Sequence, residues 1–390
     1  MKYLLFLCSC ICLLASSCKS TADLSVPKTM KTAEAQLTYS LKNHTDKSTF
    51  PRSVKPDGSL NVVPSRDWTS GFYPGSMWYM YDYTKDQKWA DSAAAWSAGL
   101  ESVKFNTHTH DLGFVLYCSF GNGLRLTENP KYAQILLQGS QTLIKRFDPT
   151  IGSIRSWDFA PWEYPVIIDN MMNLEMLFWA TKYSGDSTFY EVAVKHADTS
   201  IKNHFRPDFS SYHVVDYDTI TGNVKAKKTH QGYSDDSAWA RGQAWALYGF
   251  TMVYRETGDK KYLEQAVKIA DFYLNHPNLP EDMIPYWDFN APNIPNEPRD
   301  ASAAAIAASG LLELSRYSEN GANYFAAAEK MLTSLSSPAY MAKPGTNQGF
   351  ILMHSTGHKP HDSEIDTPIS YADYYFLEAL KRYRMLNPDQ

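Results

Sequence analysis

Cysteine is nearly absent from the body of this chain. Of five cysteines in 390 residues, four (Cys8, Cys10, Cys12 and Cys18) lie in the leader-like first stretch. Cys118 stands alone in an apolar helical segment, which excludes an internal disulfide and suits core packing better than nucleophilic chemistry. A charge excess of one sign is missing too. With 37 Lys and Arg against 42 Asp and Glu, the formal net charge is −5, which offers no electrostatic footprint for nucleic acid. No glycine-rich loop follows a strand, so a nucleotide fingerprint is excluded, and no Ser-His-Asp order stands out. Strand alternation is scarce.

Long apolar runs are limited to one, Tyr3 to Leu14, too short to span a bilayer. Lys2 precedes it and Ala15-Ser16-Ser17-Cys18 follows, the form of a lipoprotein-type secretory signal, with Leu14 one place further from Cys18 than usual. Residues 1–18 are therefore read as a signal segment with a lipid anchor at Cys18, residues 19–30 as a polar tether, and residues 31–390 as a single domain. The location expected is the periplasm or an outer-membrane lipoprotein of a Gram-negative bacterium. Lys19-Ser20 lacks the acidic residues that mark surface export, which favours the periplasm.

What the chain does have is helical periodicity. Twelve helices are expected near 32–45, 70–83, 87–104, 112–127, 130–147, 168–183, 186–204, 237–257, 260–275, 300–317, 321–336 and 371–386. Five turns repeat a helix stop, a cap and an aromatic restart: Thr84 to Trp89, Thr127 to Tyr132, Ser184 to Tyr190, Thr257 to Tyr262 and Ser318 to Tyr324. Each reads as an αα-hairpin. Irregular spacing argues against an open solenoid of fixed period, the structural alternative, and for an all-α fold, an (α/α)6 barrel of six helical hairpins. Long loops at 148–167, 205–236, 276–299 and 337–370 each lead into the first helix of a hairpin. Tyr212 to Tyr217 and the segment from Val224 form a small β-hairpin among them. Helix N-termini and loops then share one face, which favours an anionic ligand.

Residues 233–250 carry the densest chemistry. Asp235, Asp236 and Ser237 precede a helix holding Trp239, Arg241, Gln243 and Trp245. Arg241 and Trp245, four apart, share a helical face, and a fixed guanidinium beside an aromatic plane suits a ring-shaped anion. The plainer alternative is a buried helix with a salt-bridged Arg. Ten Trp and 26 Tyr fit a carbohydrate site or simply a core. Two carboxylates stand at helix starts, Asp111 after Thr107-His-Thr-His110 and Asp169 before Asn170-Met-Met-Asn173. N-capping explains either. Around Asp169, Ile167, Ile168, Met171 and Met172 favour a raised pKa, while the helix dipole pushes the other way. His108 with His110, or His354 with His358 and His361, shows no familiar ligand spacing, so neither a metal nor a cofactor is expected. Ser355 to Lys359 reads better as an anion-binding loop.

Four ordered motifs resemble glycoside hydrolase family 88, the unsaturated glucuronyl hydrolases. They are Arg66-Asp-Trp68-Thr-Ser-Gly-Phe72, His110-Asp111-Leu-Gly-Phe114, Ile168-Asp169-Asn-Met-Met-Asn173 and Ser234-Asp-Asp-Ser-Ala-Trp239-Ala-Arg241-Gly-Gln-Ala-Trp245. Arg299-Asp300-Ala-Ser-Ala303 and Ser370 to Glu378 add to it, so the likeness spans roughly residues 35–385. The resemblance implies an (α/α)6 barrel that acts on oligosaccharides with a 4,5-unsaturated uronic acid at the non-reducing end. It implies Asp169 as general acid/base and Asp111 as the second essential carboxylate. Gln231 and Arg241 are implied to engage the substrate near its carboxylate, with Trp68, His110, Trp157, His213, Trp239, Trp245 and Tyr371 lining the walls and floor. The partner expected is a lyase-generated glycosaminoglycan fragment. An unsaturated rhamnogalacturonyl hydrolase and a non-catalytic glycan-capturing lipoprotein are the alternatives.

Overall fold

A computed structural model describes residues 24–388; the signal segment and the start of the tether lie outside the described residues. The helices are α1 (Val26–Asn43), α2 (Phe72–Thr84), α3 (Gln87–Ala98), α4 (Asn122–Thr127), α5 (Pro130–Leu143) and α6 (Leu174–Ser184). They continue as α7 (Thr188–Asn203), α8 (Ala240–Thr257), α9 (Lys260–Asn275), α10 (Ala301–Leu314), α11 (Gly321–Leu335) and α12 (Ser370–Leu386). Helix α1 starts within the expected tether. Leu24, Val26 and Met30 are buried, so apolar packing captures residues whose polar neighbours suggested a linker.

The turns behave as their sequence dictates. Asp86, Asn129 and Asp259 each accept the backbone N–H two residues on, capping α3, α5 and α9. Gly185 and Gly258 end α6 and α8 with φ of 78° and 69°, where a side chain would be strained. The chain therefore doubles back five times into antiparallel pairs.

Two rings result. Helices α2, α4, α6, α8, α10 and α12 form the inner ring, and α1, α3, α5, α7, α9 and α11 wrap it. Every residue of α10 is buried, and its Ala-Ser-Ala-Ala-Ala start lets α8 and α12 pack closely on both sides. Outer helices bury one stripe only. In α9 that stripe is Tyr262, Gln265, Ala266, Ile269, Ala270 and Tyr273, the 3.6-residue period of a surface helix. The ring closes where α1 meets α12 and the loop before it. There Gln36 donates to the carbonyls of Thr346 (3.2 Å) and Phe350 (2.6 Å), and its Oε1 accepts the Gly345 N–H at 2.9 Å.

Departures from the expected elements cluster at the loop-bearing end. Expected helix 112–127 begins instead as a wide π-helical stretch, Gly113–Gly121, before α4, and 168–183 opens with a 3-10 turn, Ile168–Asn173, before α6. Such irregular turns recur at functional sites. Expected helix 87–104 stops at Ala98. A hairpin of β1 (Thr49–Val54) and β2 (Leu60–Pro64) was not expected, because Pro51 and a bulge between Pro51 and Ser53 hide its alternation. Two short strands, β3 (Phe147–Asp148) and β4 (Ser153–Ile154), also pair. The expected hairpin is present as β6 (Val214–Tyr217) and β7 (Val224–Lys228), with β5 (Pro165–Ile167) added antiparallel to β6.

Gln36→Ala would remove three hydrogen bonds from the seam; the Thr346 and Phe350 carbonyls would keep the Gly349 N–H and Asn347 Nδ2 as donors, and the Gly345 N–H alone would lose its partner. A lowered urea midpoint is expected, equivalent to about 1–2 kcal/mol, since an intramolecular hydrogen bond contributes on the order of 1 kcal/mol or less; an unchanged midpoint would refute this account of ring closure.

Candidate active site

The two irregular turns sit against each other. A Cβ on Gly113 would lie 2.6 Å from the Cα of Asn173, so only glycine allows this approach. Asn173 Oδ1 also accepts the Phe114 N–H at 2.9 Å. The turn following Asp111 is thereby tied to the turn carrying Asp169.

Asp169 is 7% exposed, and its Oδ2 has no hydrogen-bond partner among the described residues. Burial pushes its pKa up to about 7; the Arg241 charge pulls it down and the Asp111 carboxylate adds to the rise. Burial therefore outweighs the Arg241 charge. Facing it at 3.8 Å is Nε2 of His213. His213 Nδ1 accepts the backbone N–H groups of His230 and Gln231, both at 3.1 Å. That fixes the neutral tautomer with the proton on Nε2, aimed toward Asp169. Burial holds this imidazole well below its ordinary pKa, so it serves as a hydrogen-bond donor.

Asp111 is anchored differently. Its Oδ2 accepts from Thr109 Oγ1 at 3.0 Å, and its Oδ1 lies 3.1 Å from Nε2 of buried His110. His110 Nδ1 is 3.0 Å from the Ser156 carbonyl, a contact that requires the ring proton there. His110 Nε2 itself has no hydrogen-bond partner among the described residues, and the net effect of its surroundings is a lowered pKa. Burial opposes a charged imidazole and the Asp111 charge favours one.

Arg241 lies between Trp239 and Tyr371, its guanidinium carbon 4.5 Å and 5.3 Å from the two ring centres. Trp245, its expected neighbour, instead packs on Phe114 and Tyr375. Nη1 donates to Asp300 Oδ2 (2.8 Å) and the Thr356 carbonyl (2.5 Å), and Nη2 to the Gly357 carbonyl (2.6 Å). Both readings of this residue thus hold: it is salt-bridged and fixed, and its Nε–H has no partner. Gln231 donates to the same Gly357 carbonyl at 3.2 Å.

The remaining expected residues divide into two groups. Trp157, His213 and Trp239 form a continuous aromatic wall, with His213 ring centres 5.8 Å from Trp157 and 4.5 Å from Trp239. Trp68, part-buried, stacks on Tyr371 at 5.0 Å. Trp245 and Tyr371 themselves are 0% exposed. Tyr371 packs against Trp68 and Arg241, and Trp245 against Phe114. Three further residues escaped the sequence reading of the site. Asp300 pairs with Arg241, Ser156 orients His110, and His230 edges Trp157 at 5.0 Å. Asp300 was visible inside a motif, but its pairing with Arg241 spans 59 positions.

A lone dry carboxyl able to hold a proton near neutrality, faced by a neutral donor and walled by rings, is equipment for acid-assisted chemistry on a sugar. Likeness to known proteins agrees, and the chain is a glycoside hydrolase. It belongs to glycosyl hydrolase family 88, whose model matches residues 40–384. It is 53% identical over 342 residues to the unsaturated glucuronyl hydrolase of Formosa agariphila, covering 86% of this chain and 85% of that one. It is 31% identical over 354 residues to the unsaturated chondroitin disaccharide hydrolase of Streptococcus pyogenes, covering 88% of each. The crystal structure of an unsaturated glucuronyl hydrolase specific for heparin superposes with a TM-score of 0.92 at 51% identity, over 93% of this chain and 98% of that one.

Asp300→Ala would strand a buried guanidinium. The expected result is a loss of about 3–5 kcal/mol in unfolding free energy, as when one partner of a buried pair is removed, with Asp300→Asn losing less because it keeps a polar partner. Equal stability of Asp300→Ala and wild type in urea titration would contradict the pairing.

Proposed function

We propose that this enzyme removes the 4,5-unsaturated uronic acid from the non-reducing end of lyase-generated glycosaminoglycan oligosaccharides by hydrating the C4=C5 double bond. The observation that carries the reading is Asp169: buried, with a free oxygen, and half-protonated near pH 7. The substrate ring holds a vinyl ether conjugated to a carboxylate. Asp169, protonated, gives its proton to C4, and the electron pair of the double bond forms the new C–H bond. Positive charge then builds at C5, stabilised by the ring oxygen. The Asp169 carboxylate next takes a proton from water as that water bonds to C5, which regenerates the acid. The C5 hemiketal opens and expels the remaining sugar, with no attack at the anomeric carbon. This departs from hydrolysis by two carboxylates that flank the scissile bond.

The other groups follow from their geometry. Asp111, oriented by Thr109 and His110, accepts from ring hydroxyls. His213 Nε2–H and the Arg241 Nε–H donate toward the substrate near its carboxylate, with Gln231 beside them. Trp68, Trp157 and Trp239 supply apolar planes for sugar faces. A heparin-type fragment is the favoured substrate, because the heparin-specific relative is 51% identical while the chondroitin relative is 31% identical. Lys359, in the loop read from sequence as anion-binding, reaches toward Glu297 at 3.9 Å. The signal-like first residues support export to the periplasm or anchoring by a lipid at Cys18.

Unsaturated heparin, chondroitin, hyaluronan and rhamnogalacturonan disaccharides should be compared by loss of the double bond's ultraviolet absorbance. Bleaching of the glycosaminoglycan substrates is expected, fastest for the heparin type; bleaching of the pectin fragment alone, or tight binding without turnover, would overturn the reading. Asp169→Asn should lower kcat by about 10²-fold or more, the usual contribution of a positioned proton donor. The pKa of Asp169 is higher folded than unfolded, so between about pH 4 and 7 the native state holds the extra proton and this group's contribution to stability falls as pH rises. Asp169→Asn should accordingly melt no lower than wild type at pH 8. Activity of wild type should decline as pH rises through about 7, and Asp111→Asn, which removes a neighbouring negative charge, should move that decline to lower pH in its residual activity. Separately, Cys18→Ser should abolish incorporation of labelled palmitate in the exporting host; retained label would refute the anchor.

A further inference from the structure

His358 is the unexplained residue of the loop between α11 and α12. Both of its ring nitrogens are buried and neither has a hydrogen-bond partner among the described residues. Buried polar atoms are normally satisfied, and each exception calls for a reason. Two more imidazoles crowd the same spot. The His230 ring stands edge-on to His358 at 4.7 Å between centres, and His361 stacks on His358 at 4.0 Å. One nitrogen from each of the three lies within 4.8 Å of the other two. Sequence spacing had grouped His354 with His358 and His361, but His354 is taken up by Asp366 at 2.6 Å. The third ring comes instead from a different loop.

We propose that His230, His358 and His361 form a binding site for a zinc-class divalent cation at the rim of the active site. Three imidazoles with no carboxylate among them are a borderline-soft nitrogen set, which suits zinc, nickel or copper and disfavours magnesium or calcium. Neither ring nitrogen of His358 is engaged by another group among the described residues, so a lone pair is open to a cation. Metal–nitrogen bonds of about 2.0–2.1 Å with tetrahedral angles place the nitrogens roughly 3.4 Å apart. His361 is exposed at the end of the single turn Lys359–His361 and closes the gap by swinging off the stack. A fourth position is left for water or a substrate oxygen.

The site would tie two loops together. His230 belongs to the segment whose N–H groups hold His213, and Gln231 beside it donates to Gly357, next to His358. A cation here therefore stiffens the wall opposite Asp169 without touching the proton-transfer group. Its binding is read without substrate, so failure of this site and failure of the hydrolase reading are distinguishable.

The test uses the full chain, stripped with chelator and titrated with Zn2+ by calorimetry and with Co2+ by visible absorption. One saturable equivalent of Zn2+ and the intense visible bands of tetrahedral nitrogen-bound Co2+ are expected. His361→Ala, an exposed change that leaves the melting temperature of the metal-free protein unaltered, should weaken Zn2+ binding by about a hundredfold or more, beyond what outer-shell changes cause, and erase the bands. Absence of saturable binding below about millimolar, a weak affinity of roughly 4 kcal/mol, would overturn the proposal. So would wild-type affinity retained in both His361→Ala and His358→Ala, which would place the cation elsewhere.

Discussion

Keeping one carboxyl dry is the constraint on which the site depends. In water the Asp169 group would be ionised at neutral pH; here burial raises its pKa to about 7. The nearest fixed cation, Arg241, works against that rise. Its charge is answered by Asp300 and by two carbonyls, so the guanidinium lends geometry and a spare donor without fully depressing the acid. A free guanidinium in the same place would favour the carboxylate and remove the proton the reaction consumes. The Arg241–Asp300 pair is thus part of the acid's tuning as well as of the fold.

The barrel supplies the dryness. Inner helices bring their largely buried N-terminal halves together under a cover of long loops, and outer helices pack over the seams between them. Where the two acidic turns meet, regular α-helix is abandoned: one becomes a π-helical stretch and the other a 3-10 turn. Gly113 permits the contact and Asn173 fastens it. A cavity of about 560 Å³ reaches these turns, lined by Gly113, Phe114 and Met172 together with Glu175, Arg255, Glu313 and Arg382. Its charges answer one another, as in Arg255–Glu313 at 2.8 Å.

Much of this was legible in the chain. Helix periods and the five turns gave the number and order of the barrel helices, because those signals are local and repeat, while the ends at 98, 112–121 and 168–173 departed from regular α-helix. Helix α1 was shifted, since its first turn is held by tertiary contacts rather than by a cap. The β1–β2 hairpin was hidden by Pro51 and its bulge. Motifs gathered Asp111, Asp169, His213, Trp239 and Arg241, all of which converge. Depth was the quantity that sequence could not supply. Trp245 and Tyr371 have the residue types of sugar platforms, and only packing reveals that both are fully buried among other rings. Pairings across long separations, such as Arg241 with Asp300 or His230 with His358, are equally invisible to a local pattern.

The seam held by Gln36 carries a temporal consequence. It joins positions 310 residues apart, so the circle of hairpins stays a crescent until nearly all of the polypeptide has emerged. Adjacent hairpins stack as they appear, since their contacts are near in sequence, while the final clasp has the highest loop-closure cost of any in the molecule. That clasp is made together with the packing of α12 on α2, so both rings close through the same late-synthesised segment. The dryness that the acid needs thus depends on contacts that only the end of the chain can supply.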